Sequence, residues 1–476
     1  MMIWLWDVNR KILRCRDVLD TIERRVSVPA LAPSSPLLKA CPVKGDCQKD
    51  VPEACNISAV NTARAILSPM AESIPAAEIN AAAGILLSPS ATGAVSSSIA
   101  AAGNHSAVSL LSPHAGALFC YYILKLFRAE DTVIHMDKLI SSKQNIQHVP
   151  ESYILPPERR PGKVVIPSSK CIPVIDLHGN TNRQELVQRI MKACQEFGFF
   201  ELTGHGVPED LMHDVLKVAN EFFQLPSEDK VNFYSDNTWK KCRLHSSIDY
   251  DQEKVHFWRD NLRLPCHPLE DLVEEWPNNP ARFREVIGNY AIRVRELSLL
   301  LLDLIREGLG LASGYFEGDL SETHLMNFNY YPPCPDPSLT LGLPKHSDPN
   351  LITILNQGAI SGLQVLKDEQ WLALVPTPNA FVVNIGHTLQ VISNGMLRSG
   401  DHRVVTNAYA ARATIASFIH PSIDCQIQPA NELIIKRCSI PLYKPFPYIE
   451  FMRNYIKDTR DGDPVLKRYE LSQAQA

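Results

Sequence analysis

The sequence predicts a mainly β fold of the α+β kind, an antiparallel sandwich or barrel of about 100 residues flanked by helices and preceded by a low-complexity extension. Three patterns carry that expectation. Between His324 and His420, short apolar segments (LITIL, GLQVL, AFVVNIG, HRVVT, TIASFI) are separated by Pro, Gly and Asn at intervals of about 8 to 15 residues. Upstream of them, several stretches repeat apolar residues at helical spacing. Ahead of residue 136 that regular patterning is missing.

The elements follow in order. Trp4 to Arg25 could form a mixed-charge helix. Asn56 to Ala117 is built of Ala, Ser, Pro, Ile and Leu, with LSP recurring at Leu67, Leu87 and Leu111. Proline interrupts each apolar run there, and the charged and aromatic partners of a packed domain are lacking. Residues 1–135 are therefore expected to be a disordered extension or a wrongly assigned start. A transit peptide would be poor in acid, and Asp7, Asp17, Asp20 and Glu23 count against one. After Met136, IPVIDL (Ile172 to Leu177) reads as a strand, and Arg183 to Phe197 as a helix capped by Thr181 or Asn182. FGFFELTGHGVP gives a strand broken by Gly204 and Gly206, then Glu209 to Gln224 a second helix stopped near Pro226. Phe283 to Leu309 is a long helix with a dense Leu/Ile/Val face, and YKPFPYIEFMRNYIKD closes the chain with another. The expected division is 1–135, 136–280 and 281–476.

With 476 residues, 47 Lys+Arg against 52 Asp+Glu and a net charge of −5, the chain lacks the basic balance of a general nucleic-acid binder. No run approaches the roughly 18 apolar residues of a membrane span. The most apolar stretch, Ala115 to Phe127, is interrupted by Lys125. The 12 cysteines form no CxxC pair and read as reduced cytosolic thiols.

Chemistry concentrates in the β region. His346-Ser347-Asp348 places an imidazole and a carboxylate at i and i+2, hence on one face of a strand, and His402 begins another strand. Two His and one carboxylate leave coordination positions open, which suits non-haem Fe(II) and oxygen activation. With 15 histidines, about one HxD match is expected by chance, and His135-Met136-Asp137 is such a decoy. The competing reading of His346 and Asp348 is a pair capping a turn. Arg412 and Thr414, at i and i+2, offer a guanidinium fork and a hydroxyl to a carboxylate. A structural salt bridge is the alternative for Arg412.

The stretch from Ile172 to His420 resembles plant 2-oxoglutarate- and Fe(II)-dependent dioxygenases of specialised metabolism. The resemblance rests on IPVIDL, FGFFELTGHGVP, WRDNLRL, EWP, NYYPPCPDPSLTLGLPKHSDPNLITIL, GLQVLKDEQW, PNAFVVNIG, LQVISNG and HRVVTN, and extends over residues 136–476. Within that family the chain is similar to the downy-mildew-resistance-six-like and hyoscyamine 6-hydroxylase-like groups. The resemblance implies a double-stranded β-helix (jelly roll) core, with His346, Asp348 and His402 as iron ligands. It implies that Arg412, Thr414, Tyr331 and Asn329 hold 2-oxoglutarate, with O2 as oxidant and ascorbate as reductant. The implied reaction hydroxylates or desaturates a small aromatic or alkaloid-type metabolite and releases succinate and CO2. Tyr250, Phe257 and His420 are nominated as substrate contacts, each with a core or surface role as the alternative. The remaining histidines, among them His245 and His324, are taken as structural or solvated.

Four positions depart from the family pattern. Thr414 replaces the usual Ser, and His387 stands where GDxLQ has its acid, expected in a hairpin turn outside the iron shell. Asp401 precedes His402 where an apolar residue is common, and no acid follows Gln357. Two other readings stay open: a related Fe(II)/ascorbate oxidase that does not use 2-oxoglutarate, like the one that makes ethylene, and an iron-binding but catalytically silent regulator. The expected protein is a cytoplasmic monomer acting on a small molecule, without nucleic-acid or membrane partners; plastid import through the extension is the disfavoured alternative.

Overall fold

The computed structural model describes residues 136–143, 146–164, 166–167, 172–179 and 182–471. The extension, including the helix expected over Trp4 to Arg25 and the decoy at His135, lies outside them, as does Thr181. Among the described residues no helix is long and apolar enough to cross a membrane.

Among the described residues, twelve strands form the two main sheets. The larger has eight strands: β1 (Val174–Asp176), β2 (Phe199–Thr203), β3 (Arg243–Ser246), β4 (Asp260–Pro265), β5 (Thr323–Tyr331), β7 (Ile352–Asn356), β10 (Phe381–Ile385) and β12 (Arg412–His420), in the order β1-β2-β10-β7-β12-β5-β4-β3. The smaller has four, β6 (Leu341–His346), β8 (Leu363–Lys367), β9 (Gln370–Ala373) and β11 (His402–Val405), in the order β6-β11-β8-β9. The non-sequential neighbours are the crossovers of the jelly roll.

Alternation along each strand separates two environments. On β12, Ile415 and Ile419 join the main core, while Arg412, Thr414, Ala416, Phe418 and His420 line a cavity between the sheets. On β5, Met326 and Phe328 join the core and Leu325, Asn327, Asn329 and Tyr331 face the cavity. Three helices cover the core face: α1 (Arg183–Glu196), α2 (Glu209–Gln224) and α3 (Phe283–Leu309). Asn182 caps α1, its side-chain oxygen accepting from the Glu185 amide at 2.8 Å. On α2 the buried residues Met212, Val215, Val218, Ala219, Phe222 and Phe223 follow the helical period. The 27 residues of α3 pack on α1, α2, β7 and β12 and end at Gly310, whose φ of 70° makes the left-handed cap that suits glycine.

Two further segments shape the site. A short helix, α4 (His387–Ile392), follows β10, and the C-terminal α5 (Tyr448–Asp461) borders the cavity, contributing Met452, Tyr455, Ile456 and Thr459 to its lining.

Candidate active site: two imidazoles, a carboxylate and an unpaired guanidinium

The antiparallel pairing of β6 with β11 sets His346 opposite His402. Asp348 reaches the same point by a different route from the one its spacing suggests. Strand β6 ends at His346, so Asp348 does not share a strand face with it. The chain turns instead, and that turn is held from behind. The His387 amide donates to the Asp348 carbonyl (2.8 Å) and the Gly386 amide to that of Leu351 (3.0 Å). A Cβ on Gly386 would lie 2.0 Å from the Asn350 carbonyl oxygen, so only glycine lets β10 come this close.

The donor atoms converge. His346 Nε2 and His402 Nε2 stand 3.7 and 3.8 Å from Asp348 Oδ1. These spacings are too long for hydrogen bonds and suit donors arranged around one cation. Among the described residues, these three are the one group placed to hold a metal ion. The second atom of each side chain is already committed. His346 Nδ1 lies 2.9 Å from the Pro344 carbonyl and His402 Nδ1 3.2 Å from that of Gly400. A carbonyl only accepts, so both Nδ1 atoms carry the proton and both Nε2 lone pairs face the site. Asp348 Oδ2 accepts from Thr353 Oγ1 and Asn384 Nδ2, each at 2.7 Å, which leaves Oδ1 free.

Protonation agrees with that role. Burial, reinforced by neighbouring His402, pushes the His346 imidazole down to about 4, so it is neutral near pH 7. Burial would raise the Asp348 carboxyl, but His402, His346 and its two hydrogen bonds outweigh it and hold it below its ordinary value.

The second half of the site lies on β12 and β5. Their register pairs Arg412 with Tyr331 and Thr414 with Asn329. The Arg412 guanidinium is buried and lies 5.4 Å from the Tyr331 ring centroid. Its Nε donates to the Ile360 carbonyl at 3.0 Å, but Nη2 is buried with no partner. Among the described residues no carboxylate comes within ion-pair distance of Arg412, so the structural salt bridge is absent. A buried cation left this way is costly unless an anion occupies the space before it. Asn329 Nδ2 donates to Thr414 Oγ1 at 3.3 Å. The residues thus fit a divalent metal and, beside it, a ligand that ends in a carboxylate.

The cavity holding these groups measures about 250 Å³. His420 lines it, with its Nδ1 2.6 Å from the Tyr448 hydroxyl. Tyr250 and Phe257 do not line it. Tyr250 stacks on His256 with ring centroids 3.6 Å apart, and Phe257 packs with Leu155 and Leu341, facing an adjoining cleft that also reaches His346. Apolar packing of that loop outcompeted exposure to the cavity. His387 opens α4 rather than a hairpin turn; it is half-buried, lies outside the donor cluster, and shares a 2.7 Å hydrogen bond with Ser399 Oγ. Asp401 takes the Ser347 hydroxyl at 2.7 Å and Lys345 Nζ at 2.9 Å, tying β11 to the turn beyond β6. His245, expected to be structural or solvated, lines the cavity, as do Arg243, Arg259 and Arg263. Thr353 and Asn384 carried no signal of their own, although each stands in a short apolar strand where a lone polar residue needs a partner.

A jelly roll that presents two imidazoles, a carboxylate and an unpaired guanidinium inside one cavity is the architecture of a non-haem iron oxygenase driven by a keto acid. Comparison with known proteins agrees. The sequence model of the 2OG-Fe(II) oxygenase superfamily matches residues 322–421, and that of the non-haem dioxygenase in morphine synthesis N-terminal region matches 172–281. The chain is 45% identical over 318 residues to Protein DMR6-LIKE OXYGENASE 1 of Arabidopsis thaliana, covering 66% of this chain and 91% of that protein. It is 44% identical to hyoscyamine 6-dioxygenase of Hyoscyamus niger, covering 70% and 98% respectively. The solved structure of JOX2 in complex with 2OG, Fe and JA superposes with a TM-score of 0.63 at 32% identity, over 70% of this chain and 97% of that one. The chain belongs to the 2OG-Fe(II) oxygenase superfamily, and it is an Fe(II)- and 2-oxoglutarate-dependent dioxygenase.

Proposed function

We propose that His346, Asp348 and His402 ligate Fe(II), and that Arg412, with Thr414, Tyr331 and Asn329, receives the distal carboxylate of 2-oxoglutarate. The observation that carries this reading is the buried Arg412 Nη2 without a partner beside a three-donor cluster. The metal, when bound, couples O2 reduction to oxidative decarboxylation of the keto acid, giving succinate, CO2 and an oxidant for a substrate C–H bond. The chain's own part is positional. Thr353 and Asn384 keep Asp348 Oδ1 aimed inward, Arg412 fixes the keto acid, and the apolar lining from Leu343, Leu363 and Val404 keeps water from the reacting centre.

The substrate in this reading is a small plant metabolite of the aromatic or alkaloid type, hydroxylated or desaturated. Hyoscyamine 6-dioxygenase and flavanone 3-dioxygenase 2, the latter 42% identical, bracket that range by name. The catalytic unit begins at Met136, with 136–280 and 281–476 as its two sequence regions and residues 1–135 a dispensable extension. The enzyme is cytoplasmic and monomeric in this reading, and ascorbate sustains its turnover. Purified protein supplied with Fe(II), ascorbate and 2-oxoglutarate should release succinate, and a metabolite panel should show a product with one oxygen gained or two hydrogens lost. Absence of both coupled and uncoupled 2-oxoglutarate consumption would refute the reading.

A further inference from the structure

The cavity extends along the larger sheet to its β4–β3 edge, and its lining there is unusual for a chamber meant for apolar molecules. Arg243 on β3 stands directly opposite Arg263 on β4, and His245 opposite Asn261. All four line the cavity together with Arg259. Like charges on directly opposed cross-strand positions repel, and burial strengthens the effect.

Among the described residues, no carboxylate forms an ion pair with either arginine. Arg243 donates from Nε to the Ser235 carbonyl (2.7 Å) and from Nη2 to that of Asp236 (3.3 Å). Arg263 donates from Nη2 to the Thr238 and Lys240 carbonyls, both at 2.7 Å. Those bonds orient the two forks but leave N–H groups over, and among the described residues no carboxylate lies within 4 Å of either guanidinium. The nearby Asp236 carboxylate is taken up by Lys138 and the Tyr234 hydroxyl. Next to the pair, His245 is 7% exposed and its Nδ1 has no partner, while Arg259 Nε and Asn261 Oδ1 are likewise buried and unpartnered. Burial lowers the pKa of Arg243, to about 10, and of Arg263; the facing Arg263 adds to the shift at Arg243, and Asp236 only partly opposes it.

We infer that the β3–β4 end of the cavity is a carboxylate subsite: Arg243 and Arg263 grip an acid group of the organic substrate and His245 adds a hydrogen bond. The enzyme therefore selects small organic acids over neutral or cationic molecules of the same shape. The inference rests on the reading of this cavity as the substrate chamber and narrows it. A protonated amine of the kind alkaloids carry would meet three guanidinium groups and, among the described lining residues, no carboxylate at this end. Arg412 supplies the equivalent service to the keto acid on β12, so the two acids are held by different strands of one chamber.

The test uses the full chain under anaerobic conditions with Fe(II) and saturating 2-oxoglutarate, so that Arg412 is occupied. Binding is measured by titration calorimetry for matched probes, trans-cinnamate against trans-cinnamamide and 4-hydroxybenzoate against 4-hydroxybenzamide. At least one acid should bind about tenfold or more tightly than its amide, the span expected of a charge-assisted contact. Arg243→Gln and Arg263→Gln should each shrink that ratio mainly by weakening the acid, and Arg263→Lys should restore part of it. Equal binding of acid and amide, no binding of either acid, or a ratio unchanged in both Gln variants would overturn the subsite. Should one Gln variant fail to fold, the wild-type ratio and the other variant still decide. Loss of all 2-oxoglutarate turnover in wild type would strike the enzymatic reading alone, because selection here is read from binding.

Discussion

His346 and His402 face each other across the β6–β11 pair with ring centroids 4.2 Å apart, each anchored through Nδ1 to a carbonyl two residues earlier in its own chain. Local backbone thus sets the tautomer of each ring, and sheet register sets their separation. The donor pair is part of the sheet rather than an ornament on a loop.

Removal of either ring should therefore remove the metal. His346→Ala and His402→Ala are expected to bind no stoichiometric iron and to release no succinate, with the fold retained. Metal analysis beside circular dichroism checks this; iron binding at wild-type strength in either variant would refute the ligand assignment.

The hydrogen bonds behind Asp348 should act in a graded way. Thr353→Val deletes one of the two bonds to Oδ2 and lets the carboxylate turn. Iron affinity is expected to fall about 10- to 100-fold, the usual cost of losing an outer-shell partner. Competition with a calibrated chelator measures it.

Arg412 should separate keto-acid binding from iron binding. Arg412→Gln is expected to raise the KM for 2-oxoglutarate by about 10- to 100-fold, matching one charged hydrogen-bonded contact, with iron affinity unchanged. Arg412→Lys recovers only part, because an ammonium lacks the planar fork. A KM unaffected by both substitutions would place the keto acid elsewhere.

The pH dependence of stability has a definite sign at His324. It is fully buried on the core face of β5, with both ring nitrogens unpartnered, and burial lowers it to about 3. The unfolded chain takes up its proton near pH 6.5 while the native state does not. Its neutral form is thus no handicap above pH 6.5, and stability is lost as pH falls from there toward 3, by about 1.4 kcal/mol per pH unit. Urea unfolding at pH 7.5 and 5.5 should show a smaller pH effect in His324→Leu than in wild type. An equal effect would remove His324 as its source.

Much of this was legible from residue order. Glu209–Gln224 and Phe283–Leu309 match the observed helices because both carry long apolar stripes with clear stops. The pairing of Arg412 and Thr414 on one face follows from strand alternation alone. The same rule misplaced Asp348, since the strand stops at His346 and a turn held by Gly386 delivers the carboxylate instead. Tyr250 and Phe257 do not line the cavity, and loop residues have no period to say which way they face. Tyr455 and Met452 were hidden for a related reason: α5 was predictable, but its docking beside the cavity depends on the folded sheets. The Arg243–Arg263 pair exists only through the β3–β4 register, which spacing does not give.

Each half of the donor cluster comes from a different stretch of chain, joined only when β11 has crossed back onto β6. Closing that loop costs chain entropy before its contacts reward it. Iron affinity should therefore be absent from chains in which β11 has not yet reached β6 and emerge with that crossover. Iron would then act as a timer of maturation: during refolding, metal uptake should lag the recovery of helical signal from α2 and α3, and metal in excess should slow unfolding more than it speeds folding.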